Sequence, residues 1–391
     1  MFMFEKPLGM RDTLPGLYVI KEKVRKKMMN VIESWGYEFL ETPTLEFYET
    51  VGVQSAILEQ QLFKLLDRQG HTLVLRPDMT APIARVAASK LMKEFLPLRL
   101  AYSANVFRAQ QHEGGRPAEF EQIGIELIGD ETTSADAEAI ALMIYSLKNS
   151  GLEDFKISIG HIGFINALFA EILGKEERAE KLRRYLYEKN FVGYREHVKN
   201  LPLSTIDKER LIKVIELRGG IEQADIAMDL VSSEEGKKAL GDLKQLFVQL
   251  DAYEVNQYMK LELNIVSHMN YYTGILFELH ADGVGLPIGS GGRYDQLLEK
   301  FNRSAPATGF GIRLDRLLEA LGDLEADRER YAVIFSQEQR KEAFQQAMNL
   351  RKEGKQVVMQ DISGVDQIDK FAEKFTDILY FLGKPGKVRE K

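Results

Sequence analysis

The feature that most constrains this chain is a block from about Phe164 to Glu254. There Leu, Glu, Lys and Ala dominate, apolar residues recur with helical spacing, and strand signals are few. Strand character precedes this block and returns after it, at Leu261–Val266 and Tyr271–His280, with a turn at Asp282-Gly283. The block therefore reads as a helical insertion in a sheet-bearing domain.

Before the insertion, Leu17, Ile20, Val24, Met28, Val31, Ile32 and Trp35 follow a 3.6-residue period after Pro15-Gly16, and Gly36 supplies a C-cap. Tyr37–Leu40 reads as a strand ending at Pro43. His71–Arg76 and Leu98–Arg108 read as further strands, the latter pairing with Glu119–Ile128 across a polar loop. Thr133-Ser134-Ala135-Asp136 starts a helix that runs through Ala139–Tyr145 to Gly151. After the insertion, the Gly-dense stretch Gly289–Gly292 reads as a loop leading into a short helix, and Gly309-Phe310-Gly311 as the opening of another helix. Beyond the charged linker Asp323–Arg330, three apolar runs (Tyr331–Phe335, Gln356–Met359, Ile378–Leu382) alternate with helical stretches, the pattern of a small buried parallel sheet. The expected division is a core in two parts, 1–163 and 255–322, an insertion at 164–254, and a small α/β domain at 330–391.

Composition narrows the chemistry. The 391 residues suit two or three domains at roughly 100–200 residues each. No run of about 18 apolar residues spans a membrane, and Met1–Lys6 is too quickly charged for a signal peptide. A net charge of −7 argues against a protein whose main task is gripping nucleic acid. The absence of Cys removes disulfides and thiol chemistry, and the six His lack metal-ligand spacing, so no metal centre and no cofactor is expected. The expected location is the cytoplasm.

Strand Glu119–Ile128 is informative because its faces differ. Ile123, Ile125 and Leu127 point one way, and Gln122, Gly124 and Glu126 the other. Two polar side chains flanking a glycine suit a pocket floor; a half-solvated outer face is the plainer reading. Tyr271–His280 repeats the theme, with Tyr272 and Gly274 on one face, and ordinary sheet packing of aromatics is again the plainer reading. Arg76-Pro77-Asp78-Met79-Thr80 ends an apolar strand with a carboxylate and a hydroxyl that suit a ligand ammonium group, or simply cap a helix.

Taken in order, Gly9-Met10-Arg11-Asp12, the strand before Pro43, Leu75-Arg76-Pro77-Asp78, Phe107-Arg108, Gln122–Gly129, Tyr271-Tyr272-Thr273-Gly274, Gly292-Arg293-Tyr294-Asp295 and Gly309–Arg316 resemble the histidyl-tRNA synthetases over about residues 6–322. The resemblance implies a class II aminoacyl-tRNA synthetase-like α+β fold. That fold has a mostly antiparallel sheet flanked by helices, and it dimerises through the Pro43 region. It further implies histidine contacts from Asp78, Thr80, Arg116, Gln122, Glu126, Tyr271 and Tyr272.

The departures cluster on the nucleotide side. Arg108 is kept, but the following Glu of the family is Gln110. Ser267 stands where the family carries its catalytic Arg, and Arg313 replaces the third Gly of the final motif, Gly309–Arg316, where the family's backbone lies under the adenosine. Loss of one preorganised charge stabiliser ordinarily costs about 10²–10³ in rate. This pattern of loss resembles the regulatory subunits of ATP phosphoribosyltransferase. That resemblance implies a non-catalytic partner of the short-form catalytic subunit in a hetero-octamer, with histidine as feedback effector and no catalytic residues. It reads against tRNA as a partner, since the C-terminal unit is short and only Lys384–Arg389 is basic. A working histidyl-tRNA synthetase, or another class II-derived ligase, is the alternative.

Overall fold

The first amphipathic pattern folds as α1 (Pro15–Ser34), with Pro15 in its opening turn. Gly36 follows at φ +81°, a left-handed value that glycine adopts without a Cβ penalty. The stripe buries Val24, Met28 and Ile32. The computed structural model describes residues 4–55, 57–93, 95–109, 117–267, 271–322, 324 and 329–383. It falls into two compact units, Met1–Leu324 and Glu325–Lys391.

In the first unit, β1 (Glu38–Phe39) is followed by β2 (Leu45–Phe47), β3 (Lys64–Leu66) and β4 (Thr72–Leu75), which form a small sheet in the order β2-β4-β3. Next come helix α2 (Thr80–Val86) and the long hairpin of β5 (Leu98–Phe107) and β6 (Glu119–Ile128). This is the pairing expected from the sequence, with Leu98 opposite Ile128 and Phe107 opposite Glu119. Helix α3 (Thr133–Ser150) and strand β7 (Phe155–His161) lead into the helical stretch. That stretch comprises α4 (Ile162–Leu173), α5 (Glu176–Tyr187), α6 (Phe191–Asn200), α7 (Thr205–Val214), the short β8 (Arg218–Gly219), α8 (Gln223–Met228) and α9 (Glu234–Asp251). Strands β9 (Met259–Glu262), β10 (Ile275–Ala281), β11 (Gly289–Arg293) and β12 (Ala307–Arg313), then α10 (Leu314–Leu321), complete the unit.

The main sheet runs β1-β5-β6-β12-β11-β10-β7-β9-β8. Every neighbouring pair is antiparallel except β1–β5 and β7–β9. Helix α3 packs against α1, α9 and β12. It can be buried on so many sides because its turns carry Ala135, Ala137, Ala139 and Ala141, which let neighbours approach closely.

Several local expectations change. The Gly-dense stretch Gly289–Arg293 is a central strand, not a loop, and Gly309–Gly311 lies inside β12, with the helix starting only at Leu314. Glycine disfavours an isolated strand, but here ladders on both sides supply the hydrogen bonds. The expected strand at Leu261–Val266 ends at Glu262, and Tyr271–Gly274 precedes β10 rather than forming its first half. Strand β7 was not anticipated. Its central position comes from antiparallel pairing with β10, which is distant in sequence.

The second unit holds β13 (Arg330–Phe335), α11 (Arg340–Lys352), β14 (Gln356–Asp361), α12 (Ile368–Ala372) and β15 (Asp377–Phe381). Its sheet is parallel throughout, in the order β14-β13-β15. Val333, Phe335, Ala343, Ala347 and Leu350 form its core.

Candidate functional site: a buried amino-acid pocket

The floor of the site is built where β6 pairs with β12. Gln122 lies opposite Arg313, Gly124 opposite Gly311, and Glu126 opposite Gly309. Side chains on one strand face need room over the neighbouring strand, and the glycines provide it. A Cβ on Gly309 would collide with the Glu126 carboxyl, and one on Gly311 with the Gln122 amide. The polar face of β6 is therefore not a solvated outer face: Glu126 is 2% exposed.

Asp78 and Thr80 reach this floor from the corner before α2. Asp78 satisfies both sequence readings at once. Its Oδ1 accepts the Ala81 N–H at 3.0 Å, while its buried Oδ2 has no hydrogen-bond partner. Gln122 Oε1 is likewise buried without a partner. Tyr271, Tyr272 and Tyr294 close the remaining side, with ring centroids 4.8 Å apart for Tyr271–Tyr272 and 5.7 Å for Tyr271–Tyr294. Asp78, Thr80, Gln122, Glu126, Tyr271 and Tyr272 thus line one cavity, together with Tyr102, Arg108, Ser290 and Tyr294. Arg116 and Gln110 lie outside the described residues. The cavity is small, about 30 Å³, room for roughly one water.

Burial sets the electrostatics. Desolvation raises the Glu126 carboxyl to about 8, although hydroxyls of Tyr294 and Thr80 bond to it and oppose the shift; the nearby Asp78 adds to it. Desolvation also raises Asp78, against the pull of the Ala81 N–H and Arg108. Arg108 is itself buried and shifted down by desolvation, with Asp78 opposing. Two carboxyls and one guanidinium around unpaired amide and carboxylate oxygens suit a ligand with both ammonium and carboxylate groups.

Among the described residues, those expected on the nucleotide side have different surroundings. Arg108 lines the small cavity and donates through Nε to the Pro77 carbonyl at 3.0 Å. The Arg313 guanidinium lies 3.5 Å from the centroid of the Phe120 ring. Its Nε and Nη2 donate to the Asp315 carboxylate at 3.2 and 2.8 Å. Arg316 donates to the Pro287 carbonyl. Ser267 lines a second cavity, of about 590 Å³, between α4, α5 and Leu276; Tyr272 lines it too.

Two contributors had no assigned role in the sequence. Tyr294 donates its hydroxyl to Glu126, and Arg293 fixes the backbone around it. The Arg293 guanidinium is buried against Asp136 Oδ2 at 2.9 Å and the carbonyls of Asp130 and Thr132 at 3.0 and 2.9 Å. The available signal was the Gly-Gly-Arg-Tyr-Asp run itself, but the partners come from elements far away in sequence.

The chain is similar to known proteins along its length. A family model described as histidyl-tRNA synthetase matches residues 9–317. A second, described as the C-terminal domain of histidyl-tRNA synthetase HisZ, matches residues 332–383. The chain is 64% identical to the ATP phosphoribosyltransferase regulatory subunit of Bacillus licheniformis over 383 residues, covering 98% of both. It is 62% identical to that of Bacillus subtilis, again with 98% of both chains covered. A crystal structure from Bacillus halodurans C, titled an ATP phosphoribosyltransferase regulatory subunit/histidyl-tRNA synthetase, superposes with TM-score 0.93 at 55% identity and covers 98% of this chain and 100% of that one. A histidyl-tRNA synthetase from a Nostoc species shares the fold at TM-score 0.80 and 21% identity, over 95% of this chain and 88% of that one. The α+β fold is therefore that of the class II synthetases, and the chain belongs to the family of ATP phosphoribosyltransferase regulatory subunits.

Proposed function

We propose that this chain is the non-catalytic regulatory partner of a short-form ATP phosphoribosyltransferase. In this reading it is required for that enzyme's activity and confers feedback inhibition by histidine in the cytoplasm. It assembles as a self-dimer through the core, within a hetero-octamer, and does not engage tRNA. The reading rests on one contrast: a buried pocket with groups for an amino acid, beside an aromatic face already covered by Arg313.

In the proposed complex, Asp78, Thr80 and Gln122 hold the α-ammonium, Arg108 faces the carboxylate, and Glu126 and Tyr272 meet the imidazole nitrogens. A charge-assisted hydrogen bond contributes roughly 1.5–3 kcal/mol net, so a few of them offset the cost of ordering the ligand and support micromolar-to-millimolar affinity. Ligand entry requires the cavity to expand from about 30 Å³. That expansion gives the effector a differential affinity for two conformations, and a coupling on the order of 1–3 kcal/mol to the catalytic partner suffices for feedback.

Co-purification with the short catalytic subunit, followed by a transferase assay with and without histidine, tests the proposal. The expected result is activity that depends on this chain and falls with histidine. Robust histidine-dependent pyrophosphate exchange by the isolated chain would replace this reading with that of a synthetase.

A further inference from the structure

The cavity holding Asp78 and Glu126 has room for about one water, whereas pockets that enclose small ligands ordinarily measure about 300 Å³ or more. A wall must therefore move. Most walls are fixed. Gln122, Glu126 and the glycines opposite them belong to paired central strands, and Tyr294 follows directly on β11 and is bonded to Glu126. Tyr271 is 8% exposed and packed against both other tyrosines.

Tyr272 differs. It precedes the first residue of β10, it is not fully buried, and among the described residues it is the one that lines both the small cavity and the 590 Å³ cavity. That outer space is bounded by Asn166, Phe169 and Ala170 on α4, Ala179 and Arg183 on α5, and Ser267. A ring that leaves the inner cavity toward the outer one has that free volume to enter, beside Ala170 and Ala179 as well as Phe169 and Arg183, and a rotamer change in a packed interior requires such free volume.

We propose that Tyr272 is the gate of the amino-acid pocket, its ring moving into the outer cavity to admit a ligand and returning to cover it. The inference rests on the proposed ligand reading for its kinetics, but ring motion in the free protein tests it independently. A gate opens for entry and for exit alike, so hindering it slows both steps and leaves affinity nearly unchanged. Loss of a ligand contact would instead accelerate dissociation alone.

The test fills the outer cavity without touching the inner one. Ala170→Trp lies on the exposed side of α4, and Ser267→Phe offers a second variant should one fold poorly. With the full-length chain, stopped-flow mixing with histidine is expected to show association and dissociation both slowed tenfold or more, with Kd changed less than threefold. Unchanged rates, or faster dissociation with weaker affinity, overturn the gate. In parallel, the chain is labelled with 3-fluorotyrosine and the Tyr272 resonance assigned by its loss in Tyr272→Phe. Exchange broadening without ligand is expected to diminish in Ala170→Trp. A line without exchange in the unmodified chain, or exchange unaffected by filling, overturns the gate whether or not histidine binds. Failure of histidine to bind while this exchange behaves as expected removes the ligand reading and leaves the gate.

Discussion

Arg313 lays its guanidinium on the face of Phe120, 3.5 Å from the ring centroid, and Asp315 holds it there through two hydrogen bonds. A planar cation on an aromatic face contributes about 2 kcal/mol when desolvated, and Arg313 is 14% exposed. The stack occupies the surface on which a planar base could lie. Arg313→Ala is expected to uncover it and to raise affinity for adenine nucleotides at least tenfold, measured by titration calorimetry with ATP. Equal affinity in variant and parent would show that Arg313 does not block the face.

Glu126 makes the pH dependence of folding predictable. Its carboxyl titrates near 8 in the folded chain and near 4.5 when unfolded. Between these values the native state binds more protons than the unfolded state, so this group's contribution to stability is fully present below about 4.5 and is lost as pH rises through about 8. Glu126→Gln keeps the shape and removes the titration. Its urea midpoint should fall less between pH 5.5 and 8 than that of the parent; parallel curves would contradict the assignment.

The close approach of Glu126 to β12 also sets a steric test. Gly309→Ala places a methyl group against the Glu126 carboxyl and the Ile125 carbonyl. Overpacking of this kind costs about 1–3 kcal/mol. We expect a lower thermal midpoint and loss of histidine binding by calorimetry. Gly241→Ala, inside α9 with no atom within 4 Å of the added carbon, serves as the control and should raise the midpoint slightly, since Ala favours a helix interior over Gly by about 1 kcal/mol.

Arg293 is held by Asp136 and by two carbonyls at the start of α3. Removing one partner from a buried pair leaves an uncompensated charge and costs about 3–5 kcal/mol. Arg293→Met should destabilise more than Asp136→Asn, because it also strands the buried carbonyls of Asp130 and Thr132, whereas in Asp136→Asn the guanidinium keeps those carbonyls and Asp295 as partners. Denaturant melts of the two variants at pH 7 check the order.

The ordered motifs carried the fold class, because local patterns fix which segments are strands and helices and motif order fixes their assembly. The β5–β6 hairpin and the helical stretch after β7 follow from period-2 and 3.6 patterning, and the parallel C-terminal sheet from apolar runs without alternation. The glycine-rich strand β11 could not be read that way. Its strand state comes from ladders on both sides, which an isolated Gly-Ser-Gly-Gly segment does not advertise. Within the site, the side-chain identities at Asp78, Gln122, Glu126 and Tyr272 were legible, and the structure brings these four to one cavity.

What tertiary structure alone decided is where those groups end up. It bonded Tyr294 to Glu126, brought Arg108 to the cavity of Asp78 and Glu126, laid Arg313 on Phe120, and left Tyr272 lining both a cavity the size of a water and a much larger one. The physical reason is that residue type and spacing specify which groups are available. Desolvation, pairing and free volume arise only when distant segments are packed against one another.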